Sequence, residues 1–146
     1  MDAAAAYKRR ALESASPIGL IVLLYQAACQ NLRRAIAAVE AGDIETRTAA
    51  LNLVLAIIAE LKAALDFERG AEVAQQFARF YHVAQRTVLD AGFRQAAAPL
   101  RELLDSFTQV QAAWQRADAL PPGATSVEQV RAVAARPQQE PVAWQA

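Results

Sequence analysis

Residues 14–25 read Ser-Ala-Ser-Pro-Ile-Gly-Leu-Ile-Val-Leu-Leu-Tyr, and this stretch decides the fold of the chain. Ser16 can accept hydrogen bonds from the free N–H groups of a first helical turn, and Pro17 suits the first position inside a helix. From Ile18 to Cys29 only Gln26 is strongly polar, whereas a helix on a single core is polar over about half its circumference. The stretch therefore predicts a helix whose second apolar side is covered within the fold or by another molecule.

Three more helices follow from apolar residues that recur every three or four positions. The first helix ends at Gly42, and Asp43 caps the second. After a break at residues 65–70 the third helix resumes at Val73 and ends at Gly92, and the fourth has Pro99 in its first turn. The second helix has an apolar line of Leu53, Ile57 and Ala64 beside its predicted core positions, which are Ile44, Leu51, Val54, Ile58, Leu61 and Leu65.

The pattern predicts an all-α protein, an antiparallel up-down four-helix bundle with a short extra N-terminal helix. We expect residues 1–15 to form the N-terminal segment with that short helix, packed over the bundle, and residues 16–120 to form the bundle. Residues 121–146 are rich in Pro and Gln, which predicts a disordered tail. No alternating apolar runs or hairpin turns indicate strands.

The composition excludes several classes of partner. The 146 residues have a formal net charge of zero and a pI of about 6.6, so no strong field attracts nucleic acid or anionic lipid. The longest apolar run, residues 18–29, is shorter than the roughly 20 residues that a membrane-spanning helix needs, so no membrane insertion is expected. The N-terminus lacks the pattern of a signal peptide, and a single cysteine, Cys29, fits a reducing cytosol. We therefore expect a cytosolic protein.

The sequence offers no candidate catalytic, cofactor-binding or metal-binding residues, so we expect neither an enzyme nor a cofactor. A di-iron bundle needs Glu-x-x-His on two helices, but the only histidine is His82, with Arg79 three residues before it. We interpret His82 as a partly exposed helix residue. Asp66 and Glu68 lie between two predicted helices, where acidic residues commonly cap helix ends.

Several short blocks, taken together in their order along the chain, resemble the flagellin-specific export chaperone family, FliS. They extend from Tyr7 to about Ala117, and the block at residues 65–70, Leu-Asp-Phe-Glu-Arg-Gly, is the most specific together with Ala15-Ser16-Pro17. The other matching positions are Tyr7, Leu12, Leu20-Ile21, Leu24-Tyr25, Asp43-Ile44, residues 57–61, residues 71–74, Phe80-Tyr81, Arg86 and Trp114.

The resemblance implies a helical bundle in the bacterial cytosol that binds the C-terminal segment of flagellin. Such a chaperone prevents premature polymerisation and delivers its client to a component of the flagellar type III export gate. Helix-in-groove recognition would hide the adhesive apolar faces of the client. The candidate groove residues are Tyr7, Leu12, Leu20, Leu24, Tyr25, Leu53, Ile57 and Ala64, with Tyr7 and Leu12 covering part of the groove when no client is bound.

Two alternatives remain open from the sequence. Leucine and isoleucine at helical spacing are most often core residues, so the candidate groove could be internal packing. The wide apolar faces could also form a homodimer with a structural or regulatory role and no flagellin client. A client groove predicts a monomer in the absence of flagellin, whereas a structural interface predicts a dimer.

Overall fold

The computed structural model describes residues 16–119, which form four helices. These are α1 (Pro17–Ala41), α2 (Ile44–Ala63), α3 (Ala71–Arg94) and α4 (Ala98–Asp118). The order and number of these helices confirm the predicted bundle. The predictions of a short N-terminal helix and of a C-terminal tail beyond Leu120 lie outside the described residues.

The start and end of α1 follow the sequence signals. The Gly19 N–H donates to Ser16 Oγ at 2.9 Å, so Ser16 caps the helix, and Pro17 occupies its first position. At the other end Gly42 adopts the left-handed conformation with φ 71°, and its N–H donates to the carbonyls of Ala38 and Val39. Asp43 Oδ1 then accepts from the Thr46 N–H at 3.1 Å and starts α2. Helix, turn and next helix are thus set by local chemistry.

The predicted end of α3 at Gly92 is wrong. The helix continues to Arg94, and Gln95 ends it in the left-handed conformation with φ 56°. Gly92 instead lies inside the helix, where a Cβ atom would come within 3.2 Å of Leu51 Cδ1 on α2. The glycine therefore permits close packing of α2 against α3, a role that chain order alone does not distinguish from helix termination.

The helices are antiparallel neighbours around the bundle. Ser16 Oγ donates to Asp118 Oδ1 at 2.7 Å at one end of the α1/α4 pair, and Arg101 pairs with Glu40 at the other. On the opposite side, α2 packs against α3. Helix α1 packs more extensively on α2 and α4 than α3 packs on either of its neighbours.

Aromatic side chains form the centre of the core. The ring centroids of Tyr25 and Phe107 are 5.1 Å apart, those of Phe80 and Phe107 5.3 Å, and those of Phe77 and Trp114 5.6 Å. The predicted core positions of α2 are buried or packed against the core, with one exception. Ile44 was predicted to face the core but is 58% exposed, because it begins α2 beyond the last packed turn.

Candidate interaction surface

Two contacts fix which flank of α2 lies toward α3. Lys62 Nζ donates to Gln85 Oε1 at 3.2 Å, and Leu51 lies against Gly92. At 100° per residue, the line formed by Leu53, Ile57 and Ala64 lies on the roughly opposite flank of α2. Since α2 has α1 as its other neighbour, this apolar line adjoins α1.

The corresponding flank of α1 is fixed in the same way. Cys29 Sγ lies 3.9 Å from Thr108 Oγ1, and Glu40 pairs with Arg101, so this side of α1 is directed toward α4. Leu20 and Leu24, four residues apart, lie on the opposite side of the helix. They therefore border α2.

The short turn at Gly42 makes α1 and α2 antiparallel and brings the two apolar flanks together. Leu20 and Ala64 lie at similar sequence distances from the turn and are therefore level with each other. We call this strip the α1/α2 seam, formed by Leu20, Leu24, Leu53, Ile57 and Ala64.

The seam is open to solvent at its outer edge. Leu20 is 38% exposed and Leu53 is 47% exposed, and Ala64 is also exposed. Leu24 and Ile57 are partly buried and pack against the core cluster, so they form the floor of the seam. Level with Leu53, the α1 flank of the seam is polar at Asn31, whose side chain donates to the Ala27 carbonyl and accepts from Arg34. The arrangement can accept an amphipathic segment whose apolar side covers both leucines.

The remaining predicted site residues are placed differently. Tyr25 is fully buried, and its hydroxyl shares a hydrogen bond of 2.9 Å with the Tyr81 hydroxyl. It is a core residue in this structure and does not reach the seam. Tyr7 and Leu12 lie outside the described residues.

Burial raises the pKa of both tyrosines. Each phenol therefore keeps its proton, which suits a structural pair and not acid–base chemistry. Burial also raises the pKa of the Cys29 thiol, so little reactive thiolate forms at neutral pH. Cys29 is therefore a buried packing residue of α1.

The Leu-Asp-Phe-Glu-Arg-Gly block forms the turn between α2 and α3. Asp66 Oδ1 accepts from the N–H groups of Glu68 and Arg69, both at 3.1 Å, and the Gly70 N–H donates to the Asp66 carbonyl at 3.2 Å. Asp66 thus stabilises the turn, but it does not cap a helix as predicted, because α3 begins after Gly70 without a side-chain cap. Phe67 in the same turn is 50% exposed.

A second apolar patch escaped the sequence analysis. Leu89 and Phe93 are 60% and 89% exposed and lie four residues apart on the outer side of α3. The sequence contained the information to find this patch, because Leu89 and Phe93 do not share the helical spacing of Val73, Phe77 and Val88, which marks the buried face.

Residues 16–119 contain no group of three or more His, Cys, Asp and Glu that could hold a metal ion, and His82 is exposed. No helix in this range is both long enough and apolar enough to cross a membrane.

Residues 16–119 thus form an all-α bundle in which an apolar strip between two helices is open to solvent. The sequence model of the family described as "Flagellar protein FliS" matches residues 1–121, and the chain belongs to this family. The chain is similar to the flagellar secretion chaperone FliS of Salmonella typhimurium, with 35% identity over 107 residues that cover 73% of this chain and 79% of the relative.

Two other relatives are also named flagellar secretion chaperones. The chain is 29% identical to the flagellar secretion chaperone FliSB of Pseudomonas aeruginosa over 118 residues, which cover 78% of this chain and 94% of that protein. It is 26% identical to the FliS chaperone of Vibrio cholerae over 121 residues, which cover 80% and 87% of the two chains. These relatives are named as chaperones, and none of the names indicates catalysis.

Proposed function

We propose that this protein is a cytosolic export chaperone that binds the C-terminal segment of flagellin. Its α1/α2 seam receives the client as an amphipathic helix, which keeps flagellin from polymerising early. The protein then delivers the client to a component of the flagellar type III export gate. The proposal combines family membership with the exposed apolar strip.

The single observation that carries the proposal is the solvent exposure of Leu20 and Leu53 on adjoining flanks of α1 and α2. The terminal segment of a filament subunit has apolar faces that must be hidden before assembly, and a groove between helices hides such a face. Folding of the client on binding can bury about 1,000–3,000 Å² while ordering costs several kcal/mol. The resulting affinity stays moderate enough for release at the export gate.

The test is isothermal titration of the protein with a peptide that covers the C-terminal segment of flagellin, with circular dichroism recorded in parallel. We expect saturable one-to-one binding and a gain of helix content. Absence of binding across a wide concentration range would contradict the proposal and leave family membership as evidence of ancestry and fold alone.

The seam itself is tested by Leu53→Glu. A buried charge opposite the apolar face of the client should weaken binding at least about tenfold, or roughly 1.4 kcal/mol. Leu53 is a better site than Ile57, because Ile57 packs against the core and its loss would also lower stability. Leu89→Glu is the matched control, since Leu89 is also exposed but lies on the outer side of α3. Equal loss of affinity in both variants would rule out the seam as the specific site.

A further inference from the structure

The outer side of α3 has a basic half and an apolar half in one line. Arg79, His82, Arg86, Leu89 and Phe93 follow one another at intervals of three and four residues, and all five are exposed. This spacing keeps them on one stripe of the helix, about 21 Å long at 1.5 Å per residue. The stripe begins with arginine and ends with Phe93, the most exposed large apolar side chain of residues 16–119.

The two arginines of the stripe are free to bind an acidic group. Asp90 lies four residues from both Arg86 and Arg94, but its carboxylate pairs with Arg94 at 3.2 Å. Neither Arg79 nor Arg86 forms an ion pair within residues 16–119. A ligand of the stripe should therefore have a carboxylate on one side and an apolar, preferably aromatic, group about 10 Å away.

The area of the patch indicates what kind of ligand it can hold. A stable interface between separate proteins buries about 800 Å² on each partner, whereas one aromatic side chain buries only about 150–250 Å². A patch centred on Leu89 and Phe93 is therefore too small for a stable bimolecular complex. A segment tethered to the same chain needs much less contact, because a flexible tether gives an effective concentration of order mM.

Residues 140–144, Glu-Pro-Val-Ala-Trp, have the matching chemistry, with a carboxylate at one end and an aromatic side chain at the other. Proline restricts the residue before it to extended backbone. In an extended chain Glu140, Val142 and Trp144 point to one side, and the first and last are separated by about 13 Å. This distance is close to the 10 Å between Arg86 and Phe93.

The part of the chain between α4 and residues 140–144 is long enough for that segment to reach the outer stripe of α3. The chain leaves α4 after Asp118, whose contact with Ser16 fixes the helix end near the start of α3. The target at Arg86 lies about 22 Å along α3 from Ala71. Residues 119–139 can span up to roughly 70 Å when extended.

We propose that residues 140–144 of this chain dock onto the outer stripe of α3, with Glu140 on Arg86 and with Val142 and Trp144 covering Leu89 and Phe93. The docking covers an apolar patch that the bundle leaves open. It is independent of the client seam, which lies on the other side of α2.

The fluorescence of Trp144 tests the proposal in the full-length protein. Its emission is obtained as the difference between the spectra of the unmodified protein and of Trp144→Phe, which leaves Trp114 and the core untouched. We expect a blue-shifted emission that acrylamide quenches poorly, and we expect Phe93→Ser to shift it to the red and raise quenching several-fold. Phe67→Ser is the matched control, because Phe67 is also exposed but lies in the α2–α3 turn.

Exchanging the charges of Glu140 and Arg86 tests the proposed ion pair between the segment and α3. Glu140→Arg should release Trp144, and Glu140→Arg combined with Arg86→Glu should restore the blue-shifted emission. The proposal is overturned if Trp144 is solvent-exposed in the unmodified protein, if the exchange fails to restore docking, or if Phe67→Ser releases it as much as Phe93→Ser. Release of Trp144 by Leu53→Ser and not by Phe93→Ser would place the segment in the seam. An emission of Trp144 that depends on protein concentration would indicate that a second copy of the chain donates the segment. Either result overturns the proposal.

Discussion

Tyr25 and Tyr81 place two phenol hydroxyls inside the core, and they bond to each other at 2.9 Å. Tyr25→Phe removes one hydroxyl and leaves that of Tyr81 buried without this partner, which should cost about 1–3 kcal/mol of unfolding free energy. Adding Tyr81→Phe should recover most of the loss, since replacing both partners by apolar rings of the same shape is nearly neutral. Urea unfolding measures both variants. A double variant less stable than Tyr25→Phe would contradict the account.

The same pair makes stability depend on alkaline pH. Burial raises the pKa of both tyrosines, so the native state keeps two phenol protons that the unfolded chain loses above about pH 10. The unfolded state then binds fewer protons, and the free energy of unfolding falls as pH rises. We expect the urea midpoint to fall as the pH rises above about 10, and to fall less in Tyr25→Phe/Tyr81→Phe. Equal falls in the two proteins would show that other groups cause the effect.

At the scale of the elements, Gly42 terminates α1 through a conformation that residues with a side chain rarely adopt. With φ at 71°, Gly42→Ala should destabilise the protein by about 1–2 kcal/mol, although no atom lies within 4 Å of the new Cβ. Gly70→Ala is the control, because Gly70 has φ −139° and the new Cβ would lie 3.9 Å from the Asp66 carbonyl oxygen. Thermal unfolding should show a clear loss for the first variant and little change for the second.

The sequence predicts elements well where local chemistry determines them. Ser16 with Pro17 and Gly42 with Asp43 act within a few residues, so their roles follow from the sequence alone. Gly92 and Ile44 were interpreted wrongly because their roles depend on neighbours that the sequence does not specify. Gly92 makes room for Leu51 on another helix, and Ile44 lies past the packed part of α2.

At the scale of the molecule, the candidate site was predictable in part. Excess apolar residues on α1 and α2 indicated Leu20 and Leu53, but only the arrangement of the helices shows that the two flanks adjoin. Tyr25 was wrongly included in the groove, because it lies about 100° around α1 from Leu24 and shares the spacing of the buried residues Ala28 and Leu32. The stripe on α3 was missed because the spacing of the buried residues identifies the helix but gives no information about its solvent-facing side.

The oligomeric state of the free protein distinguishes a client groove from a dimer interface. If the seam is kept open for flagellin, the 15.8 kDa chain should sediment as a monomer, and Leu53→Glu should change client affinity without changing mass. The physical reason is that a groove kept for a client leaves its apolar edge at Leu20 and Leu53 in solvent in the free protein, whereas a structural dimer would cover it. Sedimentation equilibrium over a hundredfold range of concentration measures this directly. A dimer that Leu53→Glu dissociates, and Leu89→Glu does not, would mean that the seam is a structural interface whose apolar face is already used, and flagellin would then need a different binding site.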